Sequence, residues 1–415
     1  MQEKPENLVN RRTSEPSLKI STWQGSSFFL LIKTYNIHPQ NNIITKMTCI
    51  ISSIQYAILF ILVIAITVNS DDASPIPTEK TKVSKWFLGN IKPYQERKNT
   101  LDPLLYKAEA SRRTIKVRKD GKGDFKTVME AIESIPSGNK QRVIVNIGDG
   151  VFNEKIIINR TKPFVTLYGA GKFTTLQFDG TAKQYGTINS ASVAVESDYF
   201  VASNLIIKNT APRPNSKTRG AQAVALRISG DKAAIYKCNI LGFQDTLCDD
   251  KGRHFFYGCY IEGTMDFIFG SGKSLYLRTR IHALHDETGV TIITAQARNS
   301  KLDDSGYSFV HCQVTGDKTG NTYLGRLWIK LPQVVFAYTT MTDVIVPEAW
   351  LNEDHPEKNG DILFGEYKNS GRGATLAGRA KHSKQLDDKQ ARYFLSLGYI
   401  QASKWLLPPP ASRII

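Results

Sequence analysis

Cysteine is scarce: five occur in 415 residues, and no two are spaced as Cys-x-x-Cys. No His-Glu-x-x-His is present. The seven histidines are scattered, and His282 and His285 in IHALHDE read as surface residues. The chain therefore offers no metal-binding pattern, and neither a metal nor an organic cofactor is expected. Gly-x-Ser-x-Gly is also missing, which argues against a serine hydrolase of the nucleophile-elbow type. Gly270-Ser-Gly-Lys-Ser274 imitates the end of a phosphate loop. Position 267, where that loop needs its first glycine, is phenylalanine, and no strand–helix–strand unit surrounds it.

Acidic residues are under-represented. Thirty-eight Asp and Glu face 54 Lys and Arg, for a net charge of +16. A basic chain suits a polyanionic partner such as nucleic acid, an anionic membrane or an acidic polysaccharide. The cations are dispersed and no nucleic-acid module is recognisable, so no nucleic acid is expected. Dispersed charge is equally the mark of a solvated surface.

Long apolar runs are confined to one place, Thr48–Val68, which carries no charge. Its dense part, Tyr56 to Val68, has the length of a signal-peptide core rather than of a full membrane span. Met47 stands directly before it, and Val68 and Ser70 suit cleavage after Ser70. The expectation is a signal over 47–70, with residues 1–46 a dispensable extension and Met47 the working start. An uncleaved anchor is the alternative. A linker over 71–113 and a regular domain over 114–407 follow, and 408–415 is expected to be a disordered tail. In the domain, Ile115 and Val117 read as a strand. Asp124–Ile135 reads as an amphipathic helix that stops before Pro136, and 142–148 reads as a buried strand. The tail residues Tyr393, Phe394, Leu397 and Trp405 are expected to pack on the wall of the domain. Asn159-Arg-Thr is the one glycosylation sequon expected to matter in a secreted chain.

What the sequence does have is a repeat. Cys-x-Ile-x-Gly-x-x-Asp occurs at Cys238, Ile240, Gly242, Asp245 and again, 21 residues on, at Cys259, Ile261, Gly263, Asp266. Related small–aliphatic pairs are Ser203/Leu205, Thr279/Ile281 and Cys312/Val314. Steps of 35, 21, 20 and 33 residues describe a parallel β-helix in which some coils carry extra loops. Stacked strands lie ~4.8 Å apart, so Asp245 and Asp266 should face the same side on neighbouring coils. Two carboxylates so placed do not both ionise readily. One keeps a proton for acid–base work, and the other is free to act as a nucleophile. A turn role for both is the plainer alternative. Cys238 and Cys259 should also stack closely enough for a disulfide, although a reduced inward ladder is favoured. Cys49 falls in the signal, and Cys248 and Cys312 have no evident partner.

Several segments together resemble the plant pectin methylesterases (pectinesterases). They are Gly150-Val-Phe-Asn-Glu154, Gln222-Ala-Val-Ala-Leu226, Gln244-Asp-Thr-Leu247, Asp266-Phe-Ile-Phe-Gly270 and Leu324-Gly-Arg-Leu-Trp328, in the family's order. The resemblance covers about Thr114 to Leu407. It implies an all-β fold, the right-handed parallel β-helix, with a short N-terminal capping helix and the C-terminal tail on its wall. It implies hydrolysis of galacturonate methyl esters in pectin, in the cell wall, by a secreted protein. By resemblance Asp266 is the nucleophile and Asp245 the general acid and then base. Gln222 and Gln244 donate to the oxyanion, and Arg326 holds Asp266. Trp328, Trp350, Phe269 and Thr187 are the implied substrate contacts. The implied partners are methyl-esterified homogalacturonan and a proteinaceous pectinesterase inhibitor, with the enzyme a monomer. Departures from the family pattern are Leu327 for proline, Cys248 for an aromatic, Ile188 for phenylalanine and Phe152 for tyrosine. The helical inhibitor-like pro-domain of many relatives is expected to be absent. The rival readings are a polygalacturonase or pectate lyase on the same solenoid and a non-catalytic pectin-binding protein.

Overall fold

The computed structural model describes Asp72 and residues 74–215, 217–351 and 362–410. The expected extension, the signal with Cys49, and the end of the tail at 411–415 lie outside them. Among the described residues no helix is long and apolar enough to cross a membrane.

Three sheets, of eleven, eight and eight strands, run the length of the domain, and every strand pairing within them is parallel. Each of the eight complete coils contributes one strand to each sheet, and the chain winds as a right-handed parallel β-helix. The coil bearing Asp245 runs through Asn239–Leu241, Leu247–Asp249 and Arg253–Tyr257. The next, bearing Asp266, runs through Tyr260–Gly263, Ile268–Gly270 and Lys273–Leu277. Their ladders pair Ile240 with Ile261 and Leu247 with Ile268, which is the 21-residue offset of the repeat.

Identical positions stack because each coil repeats the in–out alternation of the one below. One inward row is Phe152, Leu176, Ile207, Ile240, Ile261, Ile281, Val314 and Met341, all at most 3 % exposed. Another is aromatic: Phe256, Tyr276, Phe309 and Phe336 stack with centroids 4.4 Å apart at each step. The sequence register fails in one place. Ile240 pairs with Ile207, not Leu205, so the first step is 33 residues (240 − 207) rather than 35. Leu205 is also buried. A two-residue slip keeps an apolar residue inside, so pattern alone does not distinguish the two registers.

The four described cysteines are unpaired. Cys238 and Cys259 point inward and donate to the carbonyls of Tyr236 and Ile235, each at 3.4 Å. The reduced ladder is therefore the arrangement present.

The capping helix is shorter than its periodicity suggests, Val128–Glu133. Thr127 starts it late, as its N-cap, by accepting from Glu130 N while the Glu130 carboxylate accepts from Thr127 N. The segment read as a linker is folded. Helices Val83–Asn90 and Pro103–Ala110 lie against the eleven-stranded sheet. Phe87 stacks on Tyr257 (4.7 Å) and Phe255 (5.7 Å). The outer face of that sheet carries Phe255, Leu275, Leu277, Val310 and Val335. This apolar surface needs a cover, which the arm and the tail residues Phe394, Leu397 and Trp405 supply together. Tyr393 in the tail is half exposed.

Candidate active site

Asp245 and Asp266 each stand at the corner between two of the sheets, just before strands Leu247–Asp249 and Ile268–Gly270. Both hold left-handed backbone, φ 63° and 49°. Few side chains tolerate that region, and aspartate is among those that do. The repeated spacing from glycine has a steric basis: a Cβ at Gly263 would lie 2.2 Å from Phe267 Cβ. The corners are locked to each other, Asp245 N donating to Met265 O (3.0 Å) and Leu247 N to Phe267 O (2.8 Å).

Both aspartates are 8 % exposed, but their surroundings differ. Asp266 receives a bidentate guanidinium, Arg326 Nε to Oδ1 at 2.7 Å and Nη2 to Oδ2 at 2.5 Å. Arg326 ends strand Thr322–Arg326, and Leu327 N bonds to Leu351 O, which fixes the backbone where the family pattern has proline. The carboxyl of Asp245 accepts no hydrogen bond among the described residues. Burial, and then the charge of Asp266, push it well above the ordinary carboxylate range, with Arg326 opposing. One carboxylate is thus clamped and aimed by a guanidinium, while its neighbour is buried with a raised pKa. Gln222 and Gln244 are half-buried, and no described group bonds their side-chain amides. Their carbonyls are engaged, by Ala182 N and Ala223 N.

The floor beside the aspartates is the outward row of the sheet that begins at Ile156–Ile158: Ile157, Ala194, Arg227, Cys248, Phe269, Ala295. Phe269 is buried and meets the edge of Trp328 at 6.1 Å, and Trp328 is 44 % exposed. Thr187 is half-buried at the start of the turn Ile188–Ser190, and Ile188 is 48 % exposed. Cys248 is 1 % exposed, so this floor position lies beneath the groove surface. Trp350 corrects an expectation. It is 1 % exposed, stacks on Phe364 at 4.5 Å and donates Nε1 to Glu366 at 3.3 Å. Such a ring offers no face to a sugar, because the final coils need a large side chain to close the core.

Sequence reasoning missed two features. Glu154, in a motif of the resemblance, caps the helix Val128–Glu133: its carboxylate accepts from Val128 N (3.0 Å) and Met129 N (2.8 Å). Beneath the aspartates lies a fully buried pair, His254 Nδ1 and Asp249 Oδ1 at 2.5 Å, with Tyr276 Oη on the other Asp249 oxygen at 2.6 Å. Burial lowers the His254 pKa, but the charge of Asp249 and its hydrogen bond outweigh that and leave it raised. Tyr307 Oη bridges Asp249 O and Gly270 O, tying together the two coils that carry the aspartates. The only sequence trace of this network is a His and an Asp five residues apart, which no motif distinguishes.

Comparison with known proteins agrees with this geometry. The family model described as Pectinesterase matches residues 114–403, more than half of the chain. Pectinesterase 1 of Olea europaea is 51 % identical over 365 residues, 88 % of this chain and 98 % of that protein. The pectin methylesterase of carrot superposes with a TM-score of 0.66 at 31 % identity, over 70 % of this chain and 94 % of its own. A pectin methylesterase solved in complex with a hexasaccharide superposes with a TM-score of 0.60 at 26 % identity, over 72 % of this chain and 99 % of its own. With the repeat, the solenoid and the paired aspartates joined by these matches, the chain belongs to the pectinesterase family.

Proposed function

We propose that the protein hydrolyses galacturonate methyl esters of pectin through an aspartyl acyl-enzyme. One carboxylate is clamped by a bidentate guanidinium, and a second, buried and with its pKa raised, sits one coil away. That pairing is the observation that carries the reading. An Asp266 carboxylate oxygen attacks the ester carbonyl carbon. The oxyanion that forms is met by the side-chain amides of Gln222 and Gln244, an interaction worth about 3 kcal/mol for one such donor. As the intermediate collapses, the bond to the methoxy oxygen breaks and Asp245 supplies the proton, releasing methanol and leaving an anhydride to Asp266. Asp245, now a carboxylate, takes a proton from water. The hydroxide adds to the acyl carbon, Asp266 departs as a carboxylate, and the galacturonic acid formed passes its proton to solvent water, leaving a galacturonate carboxylate. Arg326 orients Asp266 in the free enzyme and receives it again as the leaving group.

Trp328 with Phe269 beneath it, and the turn at Thr187, form the sugar-binding edges of the same groove. The related protein in complex with a hexasaccharide supports a groove several sugars long. The net charge of +16 suits an acidic polysaccharide. Action on the cell wall requires export, and the segment 47–70 is the sequence that would direct it. A proteinaceous inhibitor and a monomeric state belong to this reading as further proposals.

The test is methanol release from highly methylated pectin by the wild type beside Asp266→Asn. The expected result is release by the parent and a loss in the variant on the order of 10⁴-fold. Undiminished release by the variant would reject Asp266 as nucleophile. Absence of methanol from the parent would reject the substrate.

A further inference from the structure

We propose that the cavity between the arm and the tail, on the outer face of the eleven-stranded sheet, binds a small carboxylate that carries one flat apolar ring. This is a different sheet from the one that floors the groove, and the site does not depend on the pectin reading.

The cavity follows from side-chain size along one outward row. Ile144, Thr166, Val201 and Ala234 stand side by side on successive strands, and the row continues through Phe255 and Leu275. Where the row is large, the arm packs directly on it, as Phe87 does on Phe255. Where it shrinks to threonine, valine and alanine, a space of about 240 Å³ remains beneath the cover. Tyr94 of the arm and Trp405 of the tail line it, together with the partly exposed tail residues 407–410. An apolar cavity of about 150 Å³ takes benzene, and sites for drug-sized ligands begin near ~300 Å³. This one therefore suits a single ring with a short side chain. Ile144, Val201 and Ala234 offer that ring no hydrogen-bonding side chain, which makes the body of the ligand apolar.

The carboxylate is called for by charge. Glu109 serves two guanidiniums at once, Arg142 Nε at 2.7 Å and Arg112 Nη2 at 2.8 Å. Lys232, at the same cavity, is already answered by Asp102 at 3.1 Å. Two arginines on one glutamate leave one positive charge of this cluster uncompensated. The Arg142 side chain is only 4 % exposed. Its Nη1 donates to Tyr199 O (2.6 Å) and Val165 O (3.4 Å), and no described group accepts from its Nη2. A buried guanidinium donor without an acceptor is costly. A ligand carboxylate between Arg142 and Arg112 supplies both the acceptor and the counter-charge. Arg112 also lies over the Tyr94 ring, 5.0 Å from its centroid, so the charged end of the site adjoins its aromatic wall. Such a ligand touches arm, sheet and tail together and stabilises the folded chain.

The test is calorimetry of the full chain with 3-phenylpropionate and with 3-phenylpropionamide, which keeps the ring and loses the charge. Saturable binding of the acid, at least about tenfold tighter than of the amide, is expected. Arg112→Gln should weaken the acid about fivefold, as for a partly exposed ion pair, and leave the amide unchanged. Ala234→Phe fills the floor and should abolish binding of both, with its urea midpoint showing whether it folds. If it does not fold, the acid–amide contrast and Arg112→Gln decide the question. No saturable binding of the acid, equal binding of acid and amide, or unchanged affinity in Arg112→Gln overturns the proposal. So does binding by folded Ala234→Phe at the parent's affinity, which would put the probe elsewhere. Binding that appears only after removal of residues 411–415 overturns it too, and would assign the cavity to that segment.

Discussion

Asp245 differs from Asp266 only in what surrounds it, and that difference has a measurable sign. Its pKa in the folded protein is raised, so between the unfolded carboxylate value of about 3.9 and the folded value the native state holds the extra proton. Stability conferred by this group is therefore greatest at low pH and falls as pH rises through that window. Asp245→Asn removes the titration. The variant should gain stability relative to the parent on going from pH 4 to pH 7, read as the difference in urea midpoints, while losing methanol release. A constant difference across that range would show that Asp245 is not buried with a raised pKa. Arg326→Lys tests the other partner. Lysine keeps the charge but not the fork, and a fall in kcat of about 10²-fold is expected, measured at saturating pectin.

At the scale of elements, each corner, cap and ladder has its own small energy. Glu154 does no chemistry in this arrangement, since both of its oxygens serve the amino terminus of the helix Val128–Glu133. Glu154→Ala should lower unfolding stability by about 1–2 kcal/mol with turnover on pectin unchanged, as measured by denaturant unfolding beside a methanol assay. The elements were legible in the sequence wherever a period was strict. Cys-x-Ile-x-Gly-x-x-Asp gave the 21-residue coil because each residue type answers a local need: inward packing at the isoleucine, close approach at the glycine, left-handed backbone at the aspartate. Leu205 was misregistered because two buried apolar residues, two apart, satisfy an inward row equally well. The helix was drawn too long because Phe125 sits at helical spacing but bridges to Val117 as extended chain.

For the molecule as a whole, the central strands of the eleven-stranded sheet are buried on both faces, and their outer cover comes from the two ends of the described chain. Arg97 reaches from the arm to the carbonyls of Leu406 (2.5 Å) and Ser403, and Asp102 N bonds to Lys404 O at 2.8 Å. The arm is thus part of the folded unit rather than a leash. Phe87→Ala, which empties the stack on Phe255 and Tyr257, should cost about 3–5 kcal/mol, seen in denaturant unfolding. A near-neutral effect would return the arm to the status of a linker.

The sequence alone determined the coil length, the solenoid and the neighbouring aspartates, because these depend on residue types recurring at fixed spacing along one chain; the guanidinium meant for one of them was legible only through the family resemblance. The tertiary structure decided what depends on burial and on partners far apart in sequence. It turned Trp350 into the core, made Glu154 a cap, folded 83–110 onto the wall and gave Asp245 and Asp266 different surroundings. Spacing is a local property that a sequence carries. Whether a side chain ends up covered, and what charge it meets there, is fixed only when distant coils and termini close around it.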